Sequence, residues 1–148
     1  MKNQKNITVL GIGRLGLCFA LTLEKGGYNV LGYDIRKDYV ESIQNKTLKS
    51  QEPGVEKLLV KAKNLKATTN LKEALNYADI LFVMVRTTSL ASGKYDVSQA
   101  DNLINALKKE CKVTNKHLVI SCNVNPGYSD NVQKRLSKLG YIVSFNPE

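Results

Sequence analysis

Gly11-Ile12-Gly13-Arg14-Leu15-Gly16 has the types and spacing to hold a phosphate. It matches G-x-G-x-x-G, between an apolar β-rich run and a helical pattern, the setting that gives this motif meaning. There Gly11 allows a tight turn, Gly13 lets a pyrophosphate approach the backbone, and Gly16 lets the helix pack against the sheet. The phosphates would rest on unpaired N–H groups at the helix N-terminus, where the helix dipole favours negative charge. The second chemical residue is an acid. Asp34 follows Val30-Leu31-Gly32-Tyr33 and stands 18 residues after Gly16. A carboxylate about 20 residues past the glycines accepts hydrogen bonds from the hydroxyls of an adenosine ribose. It would repel a 2′-phosphate, so NAD is expected over NADP, with Arg36 and Lys37 softening the preference.

These residues need a scaffold that brings strand ends and a helix start together. The sequence alternates β-rich runs at residues 7–12, 28–33, 80–85, 117–122 and 140–145, and a short strand expected at 66–69, with helical stretches between them. The helices are expected near 15–25, 37–46, 55–63, 71–77 (capped by Asn70), 98–109 and 129–139, with residues 86–94 as a loop. Strands that alternate with helices and read as apolar runs form parallel sheets covered on both faces. Right-handed crossovers then favour a Rossmann-like α/β fold, doubly wound, with a six-stranded mostly parallel sheet in the order 3-2-1-4-5-6.

The 148 residues fit one domain spanning 1–148. Hydrophobic residues at 43% and charged residues at 24% exclude disorder and collagen-like repeats. No apolar run reaches the roughly 20 residues of a membrane span, and no signal-peptide pattern opens the chain. Three cysteines are too few for a disulfide scaffold and fit a reducing, cytoplasmic setting. The net charge of +9 comes from lysines scattered along helices, without a nucleic-acid-binding motif, so no nucleic-acid partner is expected. No His or Cys pair has metal-ligand spacing, so no metal is expected.

Five further segments occur in order: Glu52-Pro53-Gly54-Val55; Ala78-Asp79; Val85-Arg86-Thr87-Thr88-Ser89 with Gly93 and Asp96; Cys122-Asn123-Val124-Asn125-Pro126-Gly127; and Asn146-Pro147-Glu148. Together they resemble the UDP-glucose/GDP-mannose dehydrogenase family, the nucleotide-sugar 6-dehydrogenases of polysaccharide biosynthesis. The resemblance covers the whole chain and is nearest to the UDP-glucose 6-dehydrogenases. It implies an oxidoreductase that oxidises the C6 alcohol of a UDP-sugar, UDP-glucose to UDP-glucuronate first, with two NAD. It implies that Gly11, Ile12, Gly13, Arg14, Leu15 and Gly16 form the pyrophosphate turn and that Asp34 holds the ribose. Thr87 and Ser89 would lie along the dinucleotide, with Asn123 near its reactive end. Glu148 and Asn123 would be the catalytic positions, handling protons and water in the second oxidation.

Three positions depart from the family pattern. Asn123 replaces a threonine, Thr88 a proline, and Tyr39 a lysine five positions past the ribose acid. The family's linking helix and its sugar-nucleotide domain, with the nucleophilic cysteine, have no counterpart in residues 1–148, and neither does most of its homodimer interface. Oxidation past the aldehyde needs a thiolate to trap it. Of Cys18, Cys111 and Cys122, only Cys122 stands near the expected reaction end, where a buried structural thiol is expected. This chain alone is therefore expected to bind NAD without turnover; the alternative is a non-catalytic Rossmann nucleotide-binding or sensing module. His117 opens the fifth long strand, away from the cofactor, and is expected to pack rather than to act as a base.

Overall fold

Valine, leucine and isoleucine crowd the short runs that become strands, and the inner runs Asn6–Leu10, Asn29–Tyr33 and His117–Ile120 bury consecutive side chains, hence both faces. In a computed structural model of the chain, residues 5–110 and 115–147 are described. The strands are β1 (Asn6–Leu10), β2 (Asn29–Tyr33), β3 (Leu65–Thr68), β4 (Ile80–Val83), β5 (Thr88–Ser89), β6 (Tyr95–Asp96), β7 (His117–Ile120) and β8 (Ile142–Phe145). The helices are α1 (Arg14–Lys25), α2 (Lys37–Gln44), α3 (Val55–Lys61), α4 (Leu71–Tyr77), α5 (Ser98–Glu110) and α6 (Tyr128–Leu136). Six strands form one sheet in the order β3-β2-β1-β4-β7-β8, with every neighbouring pair parallel. This is the doubly wound Rossmann topology, reversing direction between β1 and β4.

Alternate residues of the inner strands feed two cores. Val9 and Val30 pack with Leu17, Leu21, Val40, Ile43 and Leu59 beneath α1, α2 and α3. Leu10, Leu31, Leu81 and Ile120 pack with Leu75, Ile104, Leu107, Val132 and Leu136 beneath α4, α5 and α6. The period-two alternation of a strand thus divides consecutive residues between the two faces. Asn70 caps α4 as its sequence position predicts, its side chain accepting from the Glu73 amide at 3.2 Å. No helix among the described residues is long and apolar enough to cross a membrane.

The structure departs from the expected elements in one substantive place. Residues 86–94, expected as loop, contribute β5, which pairs antiparallel with β6: Thr88 faces Asp96 and Ser89 faces Tyr95. Strands of two residues carry too little pattern to show in a sequence. The hairpin is fastened by Asn125, whose side chain accepts from the Tyr95 amide at 2.9 Å and donates to the Tyr95 carbonyl at 2.9 Å. A side-chain amide here takes the place of a neighbouring strand's backbone.

Candidate functional site

At the carboxyl ends of the strands, where β1 and β4 diverge, a cleft of about 840 Å³ opens. Crevices at such a reversal of strand order are where doubly wound sheets bind ligands. Its floor is the turn between β1 and α1. Gly11 has φ of +98°, a left-handed conformation that side chains disfavour, and a Cβ there would stand 2.7 Å from the Met84 carbonyl oxygen. At Gly16 a Cβ would meet the Gly11 carbonyl oxygen at 2.0 Å, so the absent side chain is what lets α1 dock on the turn. Gly13 differs: a Cβ would meet nothing nearer than Arg36 Nη2, at 3.8 Å. Its bare backbone faces open space.

The amides of this turn divide into two groups. Gly11 and Ile12 both donate to the Tyr33 carbonyl, at 2.8 and 3.1 Å, which locks the turn to the end of β2. The first amide bonded back along the helix is that of Leu17, to the Gly13 carbonyl at 2.9 Å. Helix geometry leaves the amides of Arg14, Leu15 and Gly16 ahead of that bond, directed out of the N-terminus. These are the donors suited to a pyrophosphate. No acidic residue occupies the first turn of α1 to compete with an anion.

Across the turn, Asp34 lies just past β2 with its carboxylate nearly buried. Arg36 grips that carboxylate with both arms of its guanidinium, and the Asp34 hydrogen bond holds the arginine's ionisation above its ordinary range. Arg14 pairs with Glu52 in the Glu52-Pro53-Gly54 turn, tying the segment before α3 to the glycine turn. On the opposite wall stand Met84, Val85, Arg86 and Thr87 after β4, and Cys122 and Asn123 after β7.

Most of the expected site residues meet in this one cleft: Gly11, Gly13, Arg14, Leu15, Gly16, Asp34, Thr87 and Asn123 all line it. Two do not. Ile12 is fully buried, packed against Gly32 and with its amide spent on Tyr33, so it holds the turn from below. Ser89 sits on β5 in the hairpin, outside the lining, because the chain turns away after Thr87. Glu148 and Cys111 lie outside the described residues. Cys122 is 4% exposed and belongs to the apolar core beneath α5 and α6. His117 stays at the far end of the sheet, hydrogen-bonded to Ser144 at 2.8 Å. Among the described residues no group of three His, Cys, Asp or Glu could hold a metal.

Gln99, Asn102, Leu103 and Ala106 of α5 were not anticipated, yet they wall the cleft. Gln99 and Asn102 are three apart, hence on one helix face, and both are exposed. That polar pair is the one signal that could have marked them. The donor set as a whole fits a dinucleotide: an open glycine backbone, a helix N-terminus and a ribose-height acid 18 residues on.

Comparison with known proteins agrees with this geometry. Residues 5–148 match the NAD-binding domain of the UDP-glucose/GDP-mannose dehydrogenase family. A UDP-N-acetyl-D-mannosamine dehydrogenase of Methanococcus maripaludis is 32% identical over 143 residues, covering 94% of this chain and 33% of that protein. Among solved structures, a GDP-mannose dehydrogenase from Pseudomonas aeruginosa superposes with a TM-score of 0.84 at 26% identity, over 96% of this chain and 36% of that one. A UDP-glucose dehydrogenase from Pyrobaculum islandicum shares the fold with a TM-score of 0.87 at 24% identity, over 99% of this chain and 36% of that one. The chain therefore spans about a third of the length of the relatives it matches.

Proposed function

The chain belongs to the UDP-glucose/GDP-mannose dehydrogenase family, as its NAD-binding domain, and on that premise we propose that it holds NAD for the oxidation of a sugar nucleotide's C6 alcohol. NAD supplies the hydride acceptor. The chain's own residues bind and orient it. The amides of Arg14, Leu15 and Gly16 would receive the pyrophosphate, and Asp34 the adenosine ribose. The other end of the dinucleotide would then reach toward Thr87 and Asn123, which line the cleft after β4 and β7. Asn123, exposed and carrying both a donor and an acceptor, would position water there, and Glu148 would take up a proton.

The observation that carries this reading is the open face at Gly13 opposite Asp34, on a turn whose other two glycines are closed by packing. The sugar nucleotide is a finer matter. UDP-glucose is the substrate suggested by the chain's motifs, whereas the named relatives act on UDP-N-acetyl-D-mannosamine, GDP-mannose and UDP-glucose. We place the sugar contacts and the nucleophilic thiolate outside residues 1–148, since Cys122 is enclosed in the core. The isolated chain would then bind NAD and not turn over. A cytoplasmic enzyme acting as a homodimer fits the sparse thiols and the family resemblance.

Calorimetric titration with NAD tests the reading. Saturable one-to-one binding is expected, weakened about tenfold or more by Asp34→Ala while the circular dichroism spectrum is kept. Absence of NAD binding at millimolar concentration would sink it.

A further inference from the structure

The assignment of the cleft to a dinucleotide is the base on which this inference rests. Asp34 does not meet the cleft as a bare carboxylate. Arg36 Nε donates to Oδ1 at 2.9 Å, Nη2 donates to Oδ2 at 2.9 Å, and the Arg36 amide donates to Oδ1 at 3.1 Å. Tyr39 steadies the guanidinium, whose Cζ lies 4.0 Å from the ring centroid. Arg36 Nη2 also stands 3.8 Å from the point where a methyl on Gly13 would project. The cation thus bridges the ribose acid and the phosphate turn, with its side chain still 55% exposed.

A count of hydrogen-bonding positions shows what this arrangement offers. A carboxylate has about four acceptor positions, and Arg36 already takes three of those on Asp34. One remains, whereas a ribose diol anchored on one acid wants two. The guanidinium has about five N–H donors, of which Asp34 takes two and Tyr39 engages one, leaving about two for a ligand. The carboxylate's charge is matched at contact distance, so its repulsion of a second anion is largely cancelled. A planar guanidinium fork with spare donors is also the group best suited to a phosphate monoester. Lys37, by contrast, points along α2 toward Glu41 at 3.8 Å.

We propose that Arg36 sets selectivity at the adenosine 2′ position, and that its fork on Asp34 lets the cleft accept a 2′-phosphorylated dinucleotide, NADP, alongside NAD. With NAD, the remaining acceptor of Asp34 takes one ribose hydroxyl. With NADP, the spare N–H groups of Arg36 take the 2′-phosphate while the fork keeps Asp34 screened.

Calorimetric titration of the chain and its variants with NAD and with NADP tests this, with circular dichroism reporting the fold of each. The wild-type dissociation constants for the two nucleotides should agree within about tenfold. Arg36→Gln should weaken NADP by about tenfold or more without weakening NAD, whose ribose regains the two Asp34 acceptor positions that the guanidinium held. Arg36→Lys, which keeps the charge without the fork, should fall between. Lys37→Gln should leave the ratio unchanged. A wild-type preference for NAD beyond about a hundredfold, equal weakening of both nucleotides by Arg36→Gln, or the same shift from Lys37→Gln would overturn the proposal. Binding of NAD without NADP removes this proposal alone; binding of neither removes the dinucleotide assignment with it.

Discussion

Alanine at Gly13 and alanine at Gly16 should have opposite effects, although the two positions share one turn. Gly13 has φ −60° and ψ −160°, extended backbone that alanine adopts without strain, and a methyl there meets only Arg36 Nη2 at ordinary contact distance. Folding should therefore be unharmed, or favoured by about 0.4–1 kcal/mol through lost freedom in the unfolded chain. On the proposed reading, the methyl projects where the phosphates of NAD would approach. Loss of even one charge-assisted hydrogen bond, worth about 1.5–3 kcal/mol, weakens NAD by about 10–100-fold. At Gly16 the methyl would lie 2.0 Å from a backbone oxygen that no rotamer change can move. Forcing α1 outward costs about 1–3 kcal/mol or more, and alanine's better helix propensity returns only about 1 kcal/mol. Thermal unfolding followed by circular dichroism should show Gly16→Ala about 2–8 °C below the wild type and Gly13→Ala at or above it. Calorimetry should show the loss of NAD affinity in a fully folded Gly13→Ala. A Gly13→Ala protein that binds NAD normally, or a Gly16→Ala protein that melts with the wild type, would refute the division of roles.

Two further perturbations probe the parts that hold the cleft. Asn125→Ala removes both bonds to Tyr95, so amide exchange at Tyr95 should quicken by about tenfold or more while the six-stranded sheet keeps its protection. Unchanged exchange there would show that the hairpin does not depend on the clasp. Tyr128 is buried, with its hydroxyl on Asp101 at 3.3 Å; burial first, then the carboxylate, holds the phenol neutral above its ordinary range. The unfolded phenol ionises from about pH 10, so stability is intact below that pH and falls as pH rises from there toward the folded value. Tyr128→Phe should flatten the fall of melting temperature between about pH 10 and 12, and an identical slope would exclude Tyr128 as its source.

Much of this was legible in the sequence because the signals are local. Five of the six strands of the main sheet are apolar runs, the Asn70 cap is one residue at one offset, and G-x-G-x-x-G states its own turn chemistry. The hairpin of β5 and β6 was not legible, since two-residue strands carry no period and are held by Asn125, thirty residues from Tyr95. The α5 wall was hidden for a similar reason. The apolar face of that helix predicts what it buries and is silent about what its exposed Gln99 and Asn102 overlook.

The sequence by itself determined the fold, the glycine turn and the acid at the end of the second strand, because periodicity, propensity and spacing act over a few residues or one βαβ unit. Only the tertiary structure decided which amides of the turn are spent, since Gly11 and Ile12 bond to Tyr33 from another strand. It alone showed that Asp34 comes already engaged by Arg36, and that Thr87 and Asn123 share a wall with α5. Those facts depend on distances between segments far apart in the chain and on the direction of individual donors. Neither is encoded in a local pattern; both are set when the sheet brings its strand ends together.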